Sequence, residues 1–215
     1  MLREVFSTEL YTILIIVCLT LVAITKLLFT KRFQDFISLL FNYRYLKVYS
    51  REQKFLDLFE GLLFINLIIG LAIFTLISLN LKVDIPKTEY LLLTNLAFGF
   101  GVILISKILL ERIISSILDM NSLIENYIFK KVSYKNFLGL LLIPINILLV
   151  YTVFPLKISV TVFITFLIII NVFGIFIFIK NNLKTIKKSW FYFILYLCAL
   201  EISPYLVLYK IYTLQ

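Results

Sequence analysis

Residues 158–179 read ISVTVFITFLIIINVFGIFIFI, 22 positions without a charged side chain. As a helix rising ~1.5 Å per residue, such a run crosses a bilayer core of about 30 Å. In hydrocarbon every backbone N–H and C=O needs an internal partner, so the run must be helical. Working outward with charged residues as fences, five further apolar runs emerge. The resulting spans lie at about 9–29, 61–81, 90–110, 137–154, 158–179 and 190–212. The sequence therefore predicts an all-α polytopic membrane helix bundle of about six transmembrane helices, forming one integral membrane domain over residues 1–215.

Composition agrees. Hydrophobic residues make up 62% of the chain and charged residues 15%, against about 45–50% and roughly 25% in soluble domains. Such a chain has too little polar surface to cover its core in water. The net charge of +9 would suggest nucleic acid in a soluble protein, but no basic run lies outside a short membrane loop, so nucleic acid is not an expected partner. Cys18 and Cys198 each sit in an apolar run, and the chain contains no His. Neither cysteine has metal-ligand spacing, so no metal and no cofactor is expected. Glu4 and Glu9 interrupt the basic start that a signal peptide needs, and no small-residue cleavage site precedes Lys26, so the first span reads as a retained helix.

Orientation follows from the loops. Sixteen Lys and Arg fall in the loops after the first, third and fifth spans, and five on the other side. The positive-inside rule puts the basic side in the cytoplasm and both termini outside. Two of these loops carry helical apolar spacing: Phe33, Phe36, Ile37 and Leu40 in the first, and Ile113, Ile114, Ile117, Ile124 and Ile128 in the second. They are expected to form two amphipathic helices in the cytoplasmic interface; the competing reading is that they continue the spans inward.

The candidate chemistry is sparse. Glu201 lies in apolar sequence near the middle of the last span, where an ionised carboxylate costs at least about 2.5–3.5 kcal/mol. It should be protonated, paired or facing a polar cavity. Pro204 frees the carbonyl of Leu200 beside it. Asn66, Asn80, Asn95, Asn146 and Asn171 also lie in the spans, and Asn95, Asn146 and Asn171 are taken with Glu201 and Pro204 as an intramembrane polar site; interhelical bonding is the plainer role for such amides. Gly99 and Gly101 would allow close helix approach, and Pro144 should bend the fourth span. At the cytoplasmic mouths, Lys107, Glu111 and Arg112 with Asp57 and Glu60 form a candidate ion-pair cluster. Without His there is no Ser-His or HExxH arrangement, and no Walker motif or paired intramembrane carboxylate is present, so no enzyme is expected.

The stretch at 191–211, FYFILYLCALEISPYLVLYKI, carries Leu197, Cys198, Leu200, Glu201, Ile202 and Pro204. It resembles the closing segment of an uncharacterised family of short polytopic inner-membrane proteins of Bacteroidota. The resemblance implies a bacterial inner-membrane location in a Gram-negative envelope and brings no assigned activity. The reading for function is a non-enzymatic subunit or assembly factor of an envelope complex, contacting membrane lipids and other inner-membrane proteins. The competitor is a small transporter or channel with Glu201 as a proton or cation site; a lipid-modifying enzyme at the Glu111–Arg112 mouth is a third, weaker option.

Overall fold

The computed structural model describes residues 9–40, 44–49, 57–80, 89–117, 121–151, 158, 160–166 and 169. The chain there is helical: α1 Glu9–Leu28, α2 Thr30–Ile37, a 3-10 turn Ser38–Leu40, α3 Arg44–Tyr49, α4 Leu58–Asn80, α5 Glu89–Ile117 and α6 Asn121–Tyr151. No strand occurs among the described residues. Four helices, α1, α4, α5 and α6, are long and apolar enough to cross a membrane, which fits a membrane protein. The sequence-predicted span at 190–212 lies outside the described residues, and of 158–179 only 158, 160–166 and 169 are described.

Phe29 separates α1 from α2. Its backbone leaves the helical region at φ −130° and ψ 50°, so the chain turns there. Asp57 opens α4 as its N-cap: the Phe59 amide donates to Asp57 Oδ1 at 3.2 Å, satisfying a donor that the first helical turn leaves open. The 111–136 stretch departs from the expected interfacial helix. Residues 111–117 continue α5 and residues 121–136 begin α6. With 29 and 31 residues, these helices run about 44 and 46 Å at ~1.5 Å per residue, longer than the ~30 Å hydrocarbon core. The first amphipathic stretch does form separate short helices, α2 and α3.

α4 sits at the centre, packed most extensively on α6 and then on α1 and α5. α4 and α6 run parallel: Glu60 meets Asn136, Leu67 meets Gly139, and Gly70 meets Leu142. A Cβ on Gly139 would fall 2.8 Å from both Cα and Cβ of Leu67, so this glycine is what lets the two backbones approach. The predicted close-approach pair plays no such part among the described residues: a Cβ on Gly99 would meet nothing within 4 Å, and one on Gly101 only Ile68 Cδ1 at 3.6 Å. Pro144 lies inside α6, which continues past it to Tyr151. α1 runs antiparallel to α6, with Thr12 Oγ1 and Tyr151 OH 2.6 Å apart. The bundle thus has a basic end, where α1 meets α2, α4 begins, α5 ends and α6 begins, and a far end at Thr12 and Tyr151. Aliphatic side chains fill the far half, among them Ile15, Ile73, Ile77, Leu142 and Ile145. Aromatic ones fill the basic end.

Candidate functional site

The basic end holds the densest polar arrangement among the described residues. α2 is strongly amphipathic: Phe33 and Phe36 are buried while Lys31 and Gln34 are exposed. Laying that apolar face against the bundle carries Arg32, on its flank, inward. The Arg32 guanidinium bonds Asp57 Oδ2 and lies 3.8 Å from Glu60 Oε1. It also sits over the rings of Phe59 at 4.6 Å and Tyr49 at 4.9 Å, within cation–π range. Asp57 and Glu60 are three residues apart, so they share a face at the start of α4 and meet one guanidinium together.

Glu60 is held by three donors from two other helices. Tyr45 of α3 donates its hydroxyl at 2.6 Å, Ser133 of α6 donates at 3.1 Å, and Asn136 of α6 donates Nδ2 at 2.5 Å to Oε2. The same amide nitrogen lies 3.2 Å from the Glu60 carbonyl. Tyr45 is fully buried, stacked on Phe129 with centroids 5.9 Å apart and edge-on to Phe36 at 5.4 Å. Burial pushes the Tyr45 phenol well above the ordinary tyrosine range, and the neighbouring Glu60 charge pushes it further up. The hydroxyl therefore stays a donor. With donors on both oxygens, the Glu60 carboxylate is fixed in position, and the knot ties α2, α3 and α6 to the mouth of α4.

A second bridge lies on another side of α6. Lys131 Nζ is 2.5 Å from Glu111 Oε1, and the Glu111 side chain is 1% exposed. Lys131 also stands 5.5 Å from the Tyr127 ring centroid. The single cluster expected from Lys107, Glu111, Arg112, Asp57 and Glu60 is therefore divided. Asp57 and Glu60 join Arg32, Glu111 joins Lys131, and Lys107 and Arg112 lie half-buried on α5. The reason is helical geometry: at ~100° per residue, Lys131 and Ser133 point to opposite sides of α6.

The expected intramembrane site is described only in part. Glu201, Pro204 and Asn171 lie outside the described residues. Asn95 is exposed on α5. Asn146 is buried and donates Nδ2 to the Gly70 carbonyl at 3.0 Å, a cross-helix bond between α6 and α4. Sequence reasoning missed Arg32, Tyr45, Lys131, Ser133 and Asn136 as site residues. The available signal was the repeated three-residue spacing, Asp57 with Glu60 and Ser133 with Asn136, which sets acceptors and donors on facing helix sides. Among the described residues, no group of three His, Cys, Asp or Glu could hold a metal ion.

Neither the curated proteins nor the solved structures contain a match to this chain. A family model does match: DUF4271, a domain of unknown function, aligns with residues 11–212. The chain belongs to the DUF4271 family.

Proposed function

We propose that the protein is a non-enzymatic subunit or assembly factor of an envelope complex in the bacterial inner membrane. Its basic end faces the cytoplasm, and both termini face the other side. The observation that carries this reading is the Arg32–Asp57–Glu60–Tyr45–Asn136 knot. The charged groups are spent on each other, and what they hold in place is a pair of short helices, α2 and α3, at the membrane surface. Lys31, Gln34, Ile37 and Val48 are exposed on these helices, a mixed basic and apolar set suited to another membrane protein and to lipid headgroups. Nucleic acid and cofactors have no part in it. The likeness of residues 197–204 to the Bacteroidota segment and the basic asymmetry of the loops support the inner-membrane placement.

The test is affinity purification from native membranes in mild detergent, followed by mass spectrometry. The parent is compared with a surface variant, Lys31→Glu with Val48→Ser, and with Glu201→Gln. A stoichiometric membrane partner held by the parent and lost in the surface variant is the expected result. A monomer without a partner in every sample overturns the proposal.

A second reading, a small transporter or channel with Glu201 as a proton or cation site, draws support from Asn66 and Asn146, amides buried in the bundle. Equal, background-level proton and cation flux from proteoliposomes of parent and Glu201→Gln would remove it.

A further inference from the structure

Three buried amides, Asn66 of α4 with Asn136 and Asn146 of α6, have hydrogen-bonding atoms without a protein partner. Asn136 is fully buried; its Nδ2 serves Glu60, and its Oδ1 has no partner. Asn66 is fully buried, and neither Nδ2 nor Oδ1 has a partner. Asn146 is 1% exposed; its Nδ2 serves the Gly70 carbonyl, and its Oδ1 has no partner. An amide offers two donors and two acceptors, and burying these unpaired in an apolar interior is unfavourable. Buried polar groups in this position are commonly completed by internal water.

The three sit at successive depths. From Glu60, which holds Asn136, to Asn66 is six residues of α4, and from Asn66 to Gly70, which holds Asn146, is four. At ~1.5 Å per residue these steps are about 9 and 6 Å. The chemistry selects the ligand. Asn66 needs donors and acceptors at once, which water supplies. A cation would satisfy only Oδ1, and an anion only Nδ2.

We propose that these buried amides of α4 and α6 bind internal water, seated on Asn66 and on the unpartnered Oδ1 atoms of Asn136 and Asn146. This stands apart from the partner proposal above.

X-ray hydroxyl-radical footprinting of the protein in lipid nanodiscs tests it, because radiolysis of a bound water labels the side chains touching it even when bulk solvent cannot reach them. Leu63, one turn before Asn66, and Leu142, one turn before Asn146, are fully buried, as is the comparison residue Leu76. Leu63 and Leu142 should label several-fold faster than Leu76 in the parent, and the label should carry 18O after transfer to H2 18O. In Asn66→Leu the Leu63 rate should fall to that of Leu76. Equal rates for the three leucines in the parent would overturn the proposal, whether or not the variant folds. An unchanged Leu63 rate in a folded Asn66→Leu protein would overturn it as well.

Discussion

Replacing Arg32 by Met removes the cation from the knot while keeping a flexible apolar stem of similar length. The Arg32, Asp57 and Glu60 side chains are 16%, 27% and 12% exposed, so the carboxylates left behind are largely shielded from water. Breaking a buried pair by deleting one partner costs about 3–5 kcal/mol. The partial exposure of Asp57 argues for the lower half of that range, and the lost stacking on Phe59 and Tyr49 adds roughly 0.5–1 kcal/mol. At about 2–4 °C per kcal/mol for a chain of this size, the melting temperature in detergent should fall by roughly 7–20 °C. Arg32→Lys should fall in between, because an ammonium keeps the charge but cannot fork between Asp57 and Glu60 while stacking on rings. Location matters as much as size. Hydrogen exchange should rise first in α2, Thr30–Ile37, while the shared core of α4 and α6 stays protected. An Arg32→Met protein melting within 2 °C of the parent, with unchanged exchange in α2, would refute the claim that this knot anchors the surface helices.

Gly139→Ala should cost about 1–3 kcal/mol, because its Cβ would fall 2.8 Å from the Leu67 backbone; Gly99→Ala, with nothing within 4 Å among the described residues, should leave the melting temperature unchanged or slightly raised, and equal effects would contradict the packing. Lys131→Met leaves the Glu111 carboxylate, 1% exposed, without its cation and should cost about 3–5 kcal/mol, whereas adding Glu111→Gln should recover much of the loss; a double-mutant cycle in denaturant reads the coupling. Tyr45→Phe removes a hydroxyl donor to a carboxylate and should cost about 1.5–3 kcal/mol. Because the folded-state phenol is raised by burial and by Glu60, this contribution is fully present below the unfolded value of about 10 and is lost as pH rises through the folded value. The stability gap between parent and Tyr45→Phe should therefore hold constant to about pH 9 and narrow above about pH 10; a gap that widens there would show the phenol ionising in the folded state.

The long apolar helices were legible because a single physical requirement, internal pairing of the backbone in hydrocarbon, leaves few alternatives for runs such as 61–81. The fate of 111–136 was not legible. Ile113, Ile117, Ile124 and Ile128 have the same spacing on an interfacial helix as on a span prolonged into water, and only the packing of α5 on α6 distinguishes them. Gly99 and Gly101 drew notice because they are close in sequence, yet close approach depends on which face meets a neighbour, and it is Gly139 that faces Leu67. The acidic half of the knot was named in advance from its place at the mouth of a span. Arg32 was not separable from the other loop cations, because its partners come from two other elements, α3 and the start of α4. Tyr45 reaches Glu60 only when α3 folds back, a tertiary event with no local signature. The intramembrane amides were visible as polar residues in apolar runs, but the same letter, Asn, is exposed at 95, bonded at 146 and unpartnered at 66.

The knot also bears on how a surface partner and the bundle would influence each other. Glu60 belongs to α4, but its oxygens are held by Tyr45 from α3 and by Ser133 and Asn136 from α6. Moving α3 outward therefore removes a donor from a carboxylate at the mouth of the central helix, and shifting α6 along α4 withdraws two more. Gly139 on Leu67, less than one turn beyond Asn136, leaves little slack for such a shift to be absorbed locally. A ligand that binds α2 and α3 in one position more tightly than in another must bias the α4–α6 register, and by linkage a change in that register must alter its affinity by the same factor. Docking on α2 and α3 would thus be linked to the α4–α6 register through one hydrogen-bonded connection. A partner selected for affinity at Lys31 and Val48 would therefore act on Asn136 without touching it.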